Sequence, residues 1–382
     1  MLRSPLAITS AFGSPDDRRT WSSAPASVAD GLERRGIRVT GIDTSLSRLH
    51  YAVFAGVHLL SRYGQFRTSE AIARGLAMRR FRARGLARQL KRLKIMRVLH
   101  TGTLDMPPTA NEPDIAHYLL CDQTWHLSLR YRPDVDSYTD QAIREFEELE
   151  HEAYAKSRHI FTFGEYVRAD LISHYGVPEH QVTTVGSGMG SVQPYTGPKD
   201  YTRGRLLFIA KHLFVEKGGP LLLDAFRLAV RERPHLTLTI VGSGRSQGLA
   251  VDCPNVTFRP FVPWSELETL LRQATLLVQP MLNDPWGQVY LEALISRTPV
   301  IGLNRNGLPE ITHNGRFGFL VDSATPAALA QAILDATSNP DRLTDMGHRG
   351  QRYVMEHYSW DRVAQRIFDV IERHDPSPRS AH

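Results

Sequence analysis

The chain has 382 residues, 42% hydrophobic and 23% charged, and carries a formal charge of +6. That length ordinarily gives two domains with sizeable cores, and the composition excludes a fibrous or disordered chain. No segment approaches the roughly 20 apolar residues of a spanning helix; the best candidate, Tyr51 to Leu60, holds His58 and is flanked by Arg48 and Arg62.

The stretch Leu6–Ala11 reads as a first strand, Ala24–Arg35 as a helix and Ile37–Ile42 as the next strand, a βαβ start. The run around Leu6 is too short for a signal peptide. Gly13 follows the first strand, and Trp21-Ser22-Ser23 precedes the first helix. Leu46–Leu60 and Thr68–Leu93 read as helices. The second is strongly basic, with Arg74, Arg79, Arg80, Arg82, Arg84, Arg88, Lys91 and Arg92 interleaved with Ile72, Leu76, Leu86, Leu90 and Leu93 at roughly helical spacing. Two readings stand. Either this is a core-facing helix with a solvated basic face, or residues 68–94 make a peripheral contact with an anionic membrane surface. Nucleic acid is disfavoured, because aromatic residues for stacking are nearly absent there.

Lys94–His100 and Ile115–Asp122 read as strands, Tyr138–Lys156 as a helix, His159–Phe163 as a strand, Glu165–Tyr175 as a helix and Val182–Val185 as a strand. Asp122 and His126 stand just after a strand, facing a cleft if the domain is an open sheet, and are candidates to orient reacting groups. Glu165 is either an N-cap or a cleft residue. From Gly186 to Gly204 the hydrophobic period disappears among Gly, Ser and Pro, which marks a linker. The two cysteines, Cys121 and Cys253, lack a metal-ligand spacing, and a reduced cytoplasmic setting is expected.

A second α/β series follows: strand Arg205–Ala210, helix Gly219–Glu232, strands Leu236–Val241 and Val256–Arg259, and helix Ser265–Gln273. Then Ala274–Pro280 reads as a strand, Asp284-Pro-Trp-Gly as a turn opening a helix, and Thr298–Leu303 as another strand. Ala324–Thr337, Asp341–Tyr358 and a last helix after Ser359 close the series. A helix starting at the carboxyl end of a parallel strand offers free N–H groups and a positive dipole end, and open parallel sheets bind ligands at that edge. Asp284 and Glu292 are spaced D-x7-E, one at the loop and one about two turns into the helix. Carboxylates are strong acceptors from vicinal hydroxyls. The N–H groups of Gly287, Gln288 and Val289 are natural donors to sugar hydroxyls or phosphate, because Gly287 lets a ligand approach.

This motif, with Leu291-Glu-Ala-Leu294 and Gly307-Leu-Pro-Glu310, resembles the retaining glycosyltransferases of family 4, over about Glu145 to Ile371. The resemblance implies the GT-B fold: two α/β Rossmann-like domains facing across a cleft, with a C-terminal helix crossing back to the first. The boundaries expected are 1–190 for an acceptor-side domain, 191–204 for the linker, 205–358 for a nucleotide-sugar domain, 359–374 for the crossover helix and 375–382 for a disordered tail. It implies that Glu292 binds the ribose hydroxyls of a nucleotide-diphosphate sugar. Asp284, which stands where the family has Glu, would contact the donor sugar. Lys217 and Lys211 would grip the diphosphate, Lys211 where the family has Arg, and His212 is an alternative. Gly242 would lie near the base, Phe261 in the segment flanking it, and Gly13 where the family has a Gly-rich loop near donor phosphate and acceptor. Trp21 to Ser23 would line the acceptor side.

The reading is a retaining, hexosyl-transferring glycosyltransferase acting on an acceptor hydroxyl of a glycan, a lipid-linked sugar or a small molecule. No cofactor is expected. No strand-end D-x-D appears, so metal independence is expected too. Alternatives are a nucleotide-sugar hydrolase or epimerase of the same fold and a non-catalytic sugar- or membrane-binding protein. A dinucleotide-binding oxidoreductase resting on Gly242-Ser-Gly244 is disfavoured, since Gln247 stands where the third glycine of that fingerprint belongs.

Overall fold

The computed structural model describes residues 4–47, 49–50, 52–53, 69–107, 115–131, 138–211, 213–242, 253 and 255–374. Most of the expected helix Leu46–Leu60, Thr68, His212, Gly244 and the tail after His374 lie outside them. The chain forms two compact units, one of Met1–Gly188 with the stretch from Trp360 onward, the other of Met189–Ser359.

The first unit holds six parallel strands: β1 (Leu6–Ser10), β2 (Val39–Asp43), β3 (Arg97–Thr101), β4 (Ala116–Cys121), β5 (His159–Thr162) and β6 (Val182–Thr184). Their order is β2-β1-β3-β4-β5-β6. Ala7 pairs with Val98, Leu99 with Tyr118 and Tyr118 with His159. A parallel sheet covered on both faces needs near-continuous apolar strands, and β1 is buried at every position. The terminal helix Trp360–His374 lies on helix Ala24–Arg34 of the same unit. Gly31 permits that approach, since a Cβ there would fall 2.3 Å from the Ala364 Cβ, and Arg35 pairs with Asp361 at 2.9 Å.

The basic segment forms two helices, Ser69–Arg74 and Leu76–Leu93, where one was expected. Gly75, with an extended backbone, ends the first and caps the second. Arg79 and Arg82 are buried rather than solvated. Arg79 donates to the carbonyls of Arg74, Thr103 and Leu149, and Arg82 to that of Ala73. Burial pulls the Arg79 guanidinium down to about 10. The exposed face is therefore narrower, with Arg80, Arg84, Arg88, Lys91 and Arg92, and with Phe81 and Leu93 partly exposed beside them. Helix Trp125–Arg130, capped by Thr124 accepting from Leu127 N at 3.2 Å, had no periodic signal because it is too short.

The second unit repeats the plan with β7 (Arg205–Lys211), β8 (Thr237–Gly242), β9 (Val256–Arg259), β10 (Leu276–Val278), β11 (Val300–Leu303) and β12 (Gly318–Val321). All are parallel, in the order β12-β11-β10-β7-β8-β9. Phe208, Phe226, Leu222, Ile240 and Ile301 join its core. The edge strand β12 and the single-turn helix Leu308–Ile311 were not read from the sequence. The order reverses direction between β7 and β10, the switch point at which open α/β sheets hold ligands. Among the described residues no helix is long and apolar enough to cross a membrane.

Polar side chains inside the first sheet are chained together. His100 Nδ1 meets Asp105 at 2.7 Å and its Nε2 meets His117 Nδ1 at 2.9 Å, while Thr44 donates to Asp105 at 2.8 Å. Burial holds His117 down to about 3 and the nearby strand residue His159 down to about 4. Both are nearly inaccessible to solvent. An unfolded imidazole takes its proton near pH 6.5, so the folded state binds fewer protons below that pH. The stability due to neutral imidazoles is complete above pH 6.5 and is lost as pH falls toward the folded values. Each histidine should contribute a slope of about 1.4 kcal/mol per pH unit between roughly pH 6 and 4. Urea unfolding across that range should show the slope, and His117→Gln should remove about half of the histidine contribution; an unchanged slope would reject the assignment.

Candidate active site

The site of the second unit is built where β7 and β10 run out. The two strands pair at Leu206 with Leu276 and Leu207 with Leu277. Beyond that, the fully buried Gln279 side chain takes over the ladder: Ile209 N donates to its Oε1 at 3.0 Å and its Nε2 donates to Ile209 O at 3.1 Å. On its other side β7 shifts register between Ile209 and Lys211, and Lys211 adopts φ 53. Gly242 on β8 closes onto this bulge, where a Cβ would lie 2.6 Å from the Lys211 carbonyl oxygen.

Two loops then fasten together. Met281 N donates to Lys217 O at 3.0 Å and Asn283 N to Glu216 O at 2.9 Å. Gly218 is required twice, by its φ of +85° and because a Cβ would fall 2.7 Å from the Pro280 Cβ. This clamp brings Lys217 Nζ to 3.9 Å from Asp284 Oδ2.

Lys217 is only 6% exposed and stands just before helix Gly219–Glu232, at its positive end. Burial lowers its pKa; Lys211 adds to that, while Asp284 and Glu292 oppose it. Glu292, on helix Gln288–Ile295, is 5% exposed. Burial raises its pKa, against the pull of Lys211 and Lys217. Among the described residues neither charged end has a hydrogen-bond partner within 3.5 Å. Buried charges normally carry such partners. A desolvated ammonium beside a helix N-terminus suits an anion, and a desolvated carboxylate one helix away suits a donor such as a diol.

The residues between the two carboxylates have structural work. Asp284 Oδ1 accepts from Gly287 N at 3.0 Å, so that amide, expected to face a ligand, is occupied. Trp286 is buried under Gly307, where a Cβ would come within 2.6 Å of the indole, and Gly307 N donates to Pro285 O at 3.1 Å. Asn306 Nδ2 donates to Asp284 O at 3.1 Å, and Tyr290 Oη to Gln279 O at 2.5 Å. Gln288 and Val289 open the helix after Gly287. Lys211 is exposed, and Phe261, after β9, is 77% exposed.

The remaining candidates belong to the first unit and fall into separate networks. Gly13 follows β1 with φ +131°, and a Cβ there would meet Thr20 Oγ1 at 3.0 Å. Asp122 accepts from the indole N–H of Trp21 at 3.1 Å, and that ring stacks on Phe163. Trp21, Ser22 and Ser23 all have positive φ, three successive left-handed residues without a glycine. His126 turns elsewhere: its Nδ1 meets Asp170 at 2.6 Å and its ring stacks on His174 at 3.8 Å. Glu165 begins a helix as its first residue and pairs with Arg168 at 3.6 Å. Gln279 and Asn306 were missed in the sequence; the signal was a lone amide closing the apolar run Leu276-Leu-Val-Gln279.

Residues 203–339, within the second unit, match the family model described as Glycosyl transferases group 1. A curated relative, the D-inositol 3-phosphate glycosyltransferase of Streptomyces avermitilis, is 30% identical over 244 residues, covering 56% of this chain and 52% of that protein. The chain thus spans about half the length of the curated relatives it matches. Among solved structures, sucrose-phosphate synthase from Thermosynechococcus elongatus superposes with a TM-score of 0.74 at 15% identity, covering 97% of this chain and 99% of that one. HepE of Anabaena, solved with UDP and glucose, superposes with a TM-score of 0.63 at 13% identity, covering 97% and 100%. The fold is that of the GT-B glycosyltransferases.

The geometry makes Gln279 the keystone of the switch point. Gln279→Leu keeps the volume but orphans two buried backbone groups of Ile209, each worth about 1–3 kcal/mol. Urea unfolding should therefore show a loss of about 2–6 kcal/mol. A loss indistinguishable from zero would mean that the strands hold the bulge without it.

Proposed function

We propose that this chain, a GT-B protein with a group 1 glycosyl transferase domain, is a retaining hexosyltransferase. It moves a sugar from a nucleotide-diphosphate donor to an acceptor hydroxyl. The observation that carries the reading is the pair of desolvated, hydrogen-bond-poor charges, Lys217 and Glu292, at the switch point of the second sheet.

In this reading Glu292 accepts from the ribose hydroxyls. Lys217, Lys211 and the N-terminus of helix Gly219–Glu232 receive the diphosphate. As the glycosidic bond breaks, the leaving diphosphate gains charge and the sugar becomes oxocarbenium-like. A fixed cation in a water-poor site, as the buried Lys217 is, stabilises that change without reorganising, which is where an enzyme gains most. Asp284, beside Lys217, faces the sugar. The two lysines supply the positive charge that a divalent cation would otherwise bring, so turnover needs no metal. The UDP and glucose bound in the Anabaena structure make UDP-sugars the first donors to try, and the name of the Streptomyces relative puts phosphorylated polyols among the first acceptors.

Transfer, rather than hydrolysis or epimerisation, is tested with a panel of nucleotide sugars, acceptors and NAD, following product and anomeric configuration with and without EDTA. We expect a glycosylated acceptor of retained configuration in both. Lys217→Ala should lower kcat more than it raises the donor KM, because the diphosphate is most charged as it departs. Full kcat at saturating donor would reject the role of Lys217. Turnover lost in EDTA and restored by Mg²⁺ or Mn²⁺ would reject the metal-free mechanism.

A second reading concerns where the acceptor is met. The face of helix Leu76–Leu93 that carries Arg80, Arg84, Arg88, Lys91 and Arg92 also exposes Phe81 at 43% and Leu93 at 40%. Basic residues with apolar neighbours suit the cytoplasmic surface of an anionic membrane, at about 1 kcal/mol for each Lys or Arg near the surface. Vesicles containing anionic lipid should co-sediment the protein at low salt and release it near physiological salt, where screening acts within about 8 Å. No binding at low salt would leave a helix whose arginines simply face water.

A further inference from the structure

Helix Gln288–Ile295 is overlain by the first segment of its own unit. Tyr195 N donates to Ile295 O at 3.2 Å, and Gln351 Nε2 reaches Tyr195 O at 2.8 Å and Ile295 O at 2.6 Å. Arg297 donates to Gly197 O at 3.3 Å. Lys199 Nζ donates to Leu271 O at 3.0 Å, to Ser296 O at 3.3 Å and to Thr298 Oγ1, collecting carbonyls near the C-terminal ends of two helices. The segment is thus fastened at several points, and its beginning is set against Glu292.

At that beginning stands Gly190. A Cβ built there would lie 2.3 Å from Glu292 Oε1, 3.2 Å from its Cδ and 3.3 Å from its Cγ, and these are the three nearest atoms. The backbone does not ask for glycine, because Gly190 is absent from the residues with positive φ. What excludes a side chain is the carboxylate itself. The nearest of these atoms is the far end of a side chain, so the carboxylate rather than the backbone would have to move.

We infer that Gly190 is a positioning residue, the bare wall against which the Glu292 carboxylate is held for the hydroxyls of a nucleoside diphosphate. The inference rests on the reading of Glu292 as a ribose ligand. It assigns to the linker segment a part in donor affinity, with no contact to the reacting atoms.

The test uses the full chain and UDP, GDP and ADP as probes, by calorimetry and by donor kinetics. Gly190→Ala should raise the nucleotide Kd about tenfold. Donor KM should rise with it, and kcat at saturating donor should hold within about twofold. Thermal unfolding should be nearly unchanged. Glu292→Asp, a methylene shorter, should weaken binding alone, yet adding Gly190→Ala to it should cost less than about twofold, since the clash is gone. Strictly additive losses would overturn the inference. So would a wild-type Kd for Gly190→Ala while Glu292→Gln binds poorly. An unfolded Gly190→Ala protein would overturn it as well, because only the carboxylate should have to yield. If Glu292→Gln binds all three nucleotides as well as the wild type, the ribose reading itself has failed.

Discussion

The pairing of β7 with β10 stops after Leu207 and Leu277, and a side-chain amide carries it onward. Much of the candidate site depends on that substitution of Gln279 for strand backbone. Because the amide satisfies Ile209 on both N and O, β7 is free to bulge at Lys211 without leaving buried groups unpaired. The bulge releases the chain into the turn that carries Lys217. The same Gln279 offers its own carbonyl to Tyr290, which fixes helix Gln288–Ile295 and with it Glu292. One buried amide therefore sets the start of the loop that carries the cation and braces the helix that carries the carboxylate.

The clamp between the two loops explains the electrostatics. Lys217 and Asp284 are drawn together by backbone bonds, not by their own attraction, and they stop at 3.9 Å, short of a hydrogen bond. Both Lys217 and Glu292 are taken out of water without full compensation, which costs stability. Sites built to receive charge commonly carry such perturbed groups. An arriving anion and diol would supply the missing partners.

The sequence carried the second unit well because its signals are local. The apolar runs of β7, β8 and β11, the Lys217-Gly-Gly helix start and the Asp284 to Glu292 spacing each sit within a few residues, and the helix Gly219–Glu232 came out to the residue. The GT-B fold followed from the motif's likeness to known families. What could not be read was anything made by distant partners. Arg79 and Arg82 look solvated in a run of arginines, and only the carbonyls of Thr103, Leu149 and Ala73 explain their burial. Asp122 and His126 are four residues apart, yet Trp21 takes one and Asp170 the other. The role of Gly190 is likewise invisible without the residue 102 positions away that it abuts.

Asp284 shows what a difference of one methylene does. The family resembled here carries Glu at this place, and the Asp side chain keeps the charge with a shorter reach. Its two oxygens have distinct neighbours: Oδ1 accepts from Gly287 N at 3.0 Å, and Oδ2 faces Lys217. A side chain that folds back onto an amide three residues later favours Asp over Glu, because the longer chain overshoots so tight a ring. Asp284 therefore shapes the turn that launches the helix of Glu292. Contact with a sugar would fall to Oδ2, in competition with the ammonium beside it. In the proposed reaction, an anionic diphosphate drawn to Lys217 would relieve that competition, so that binding the leaving group and freeing Oδ2 for the sugar would be one event.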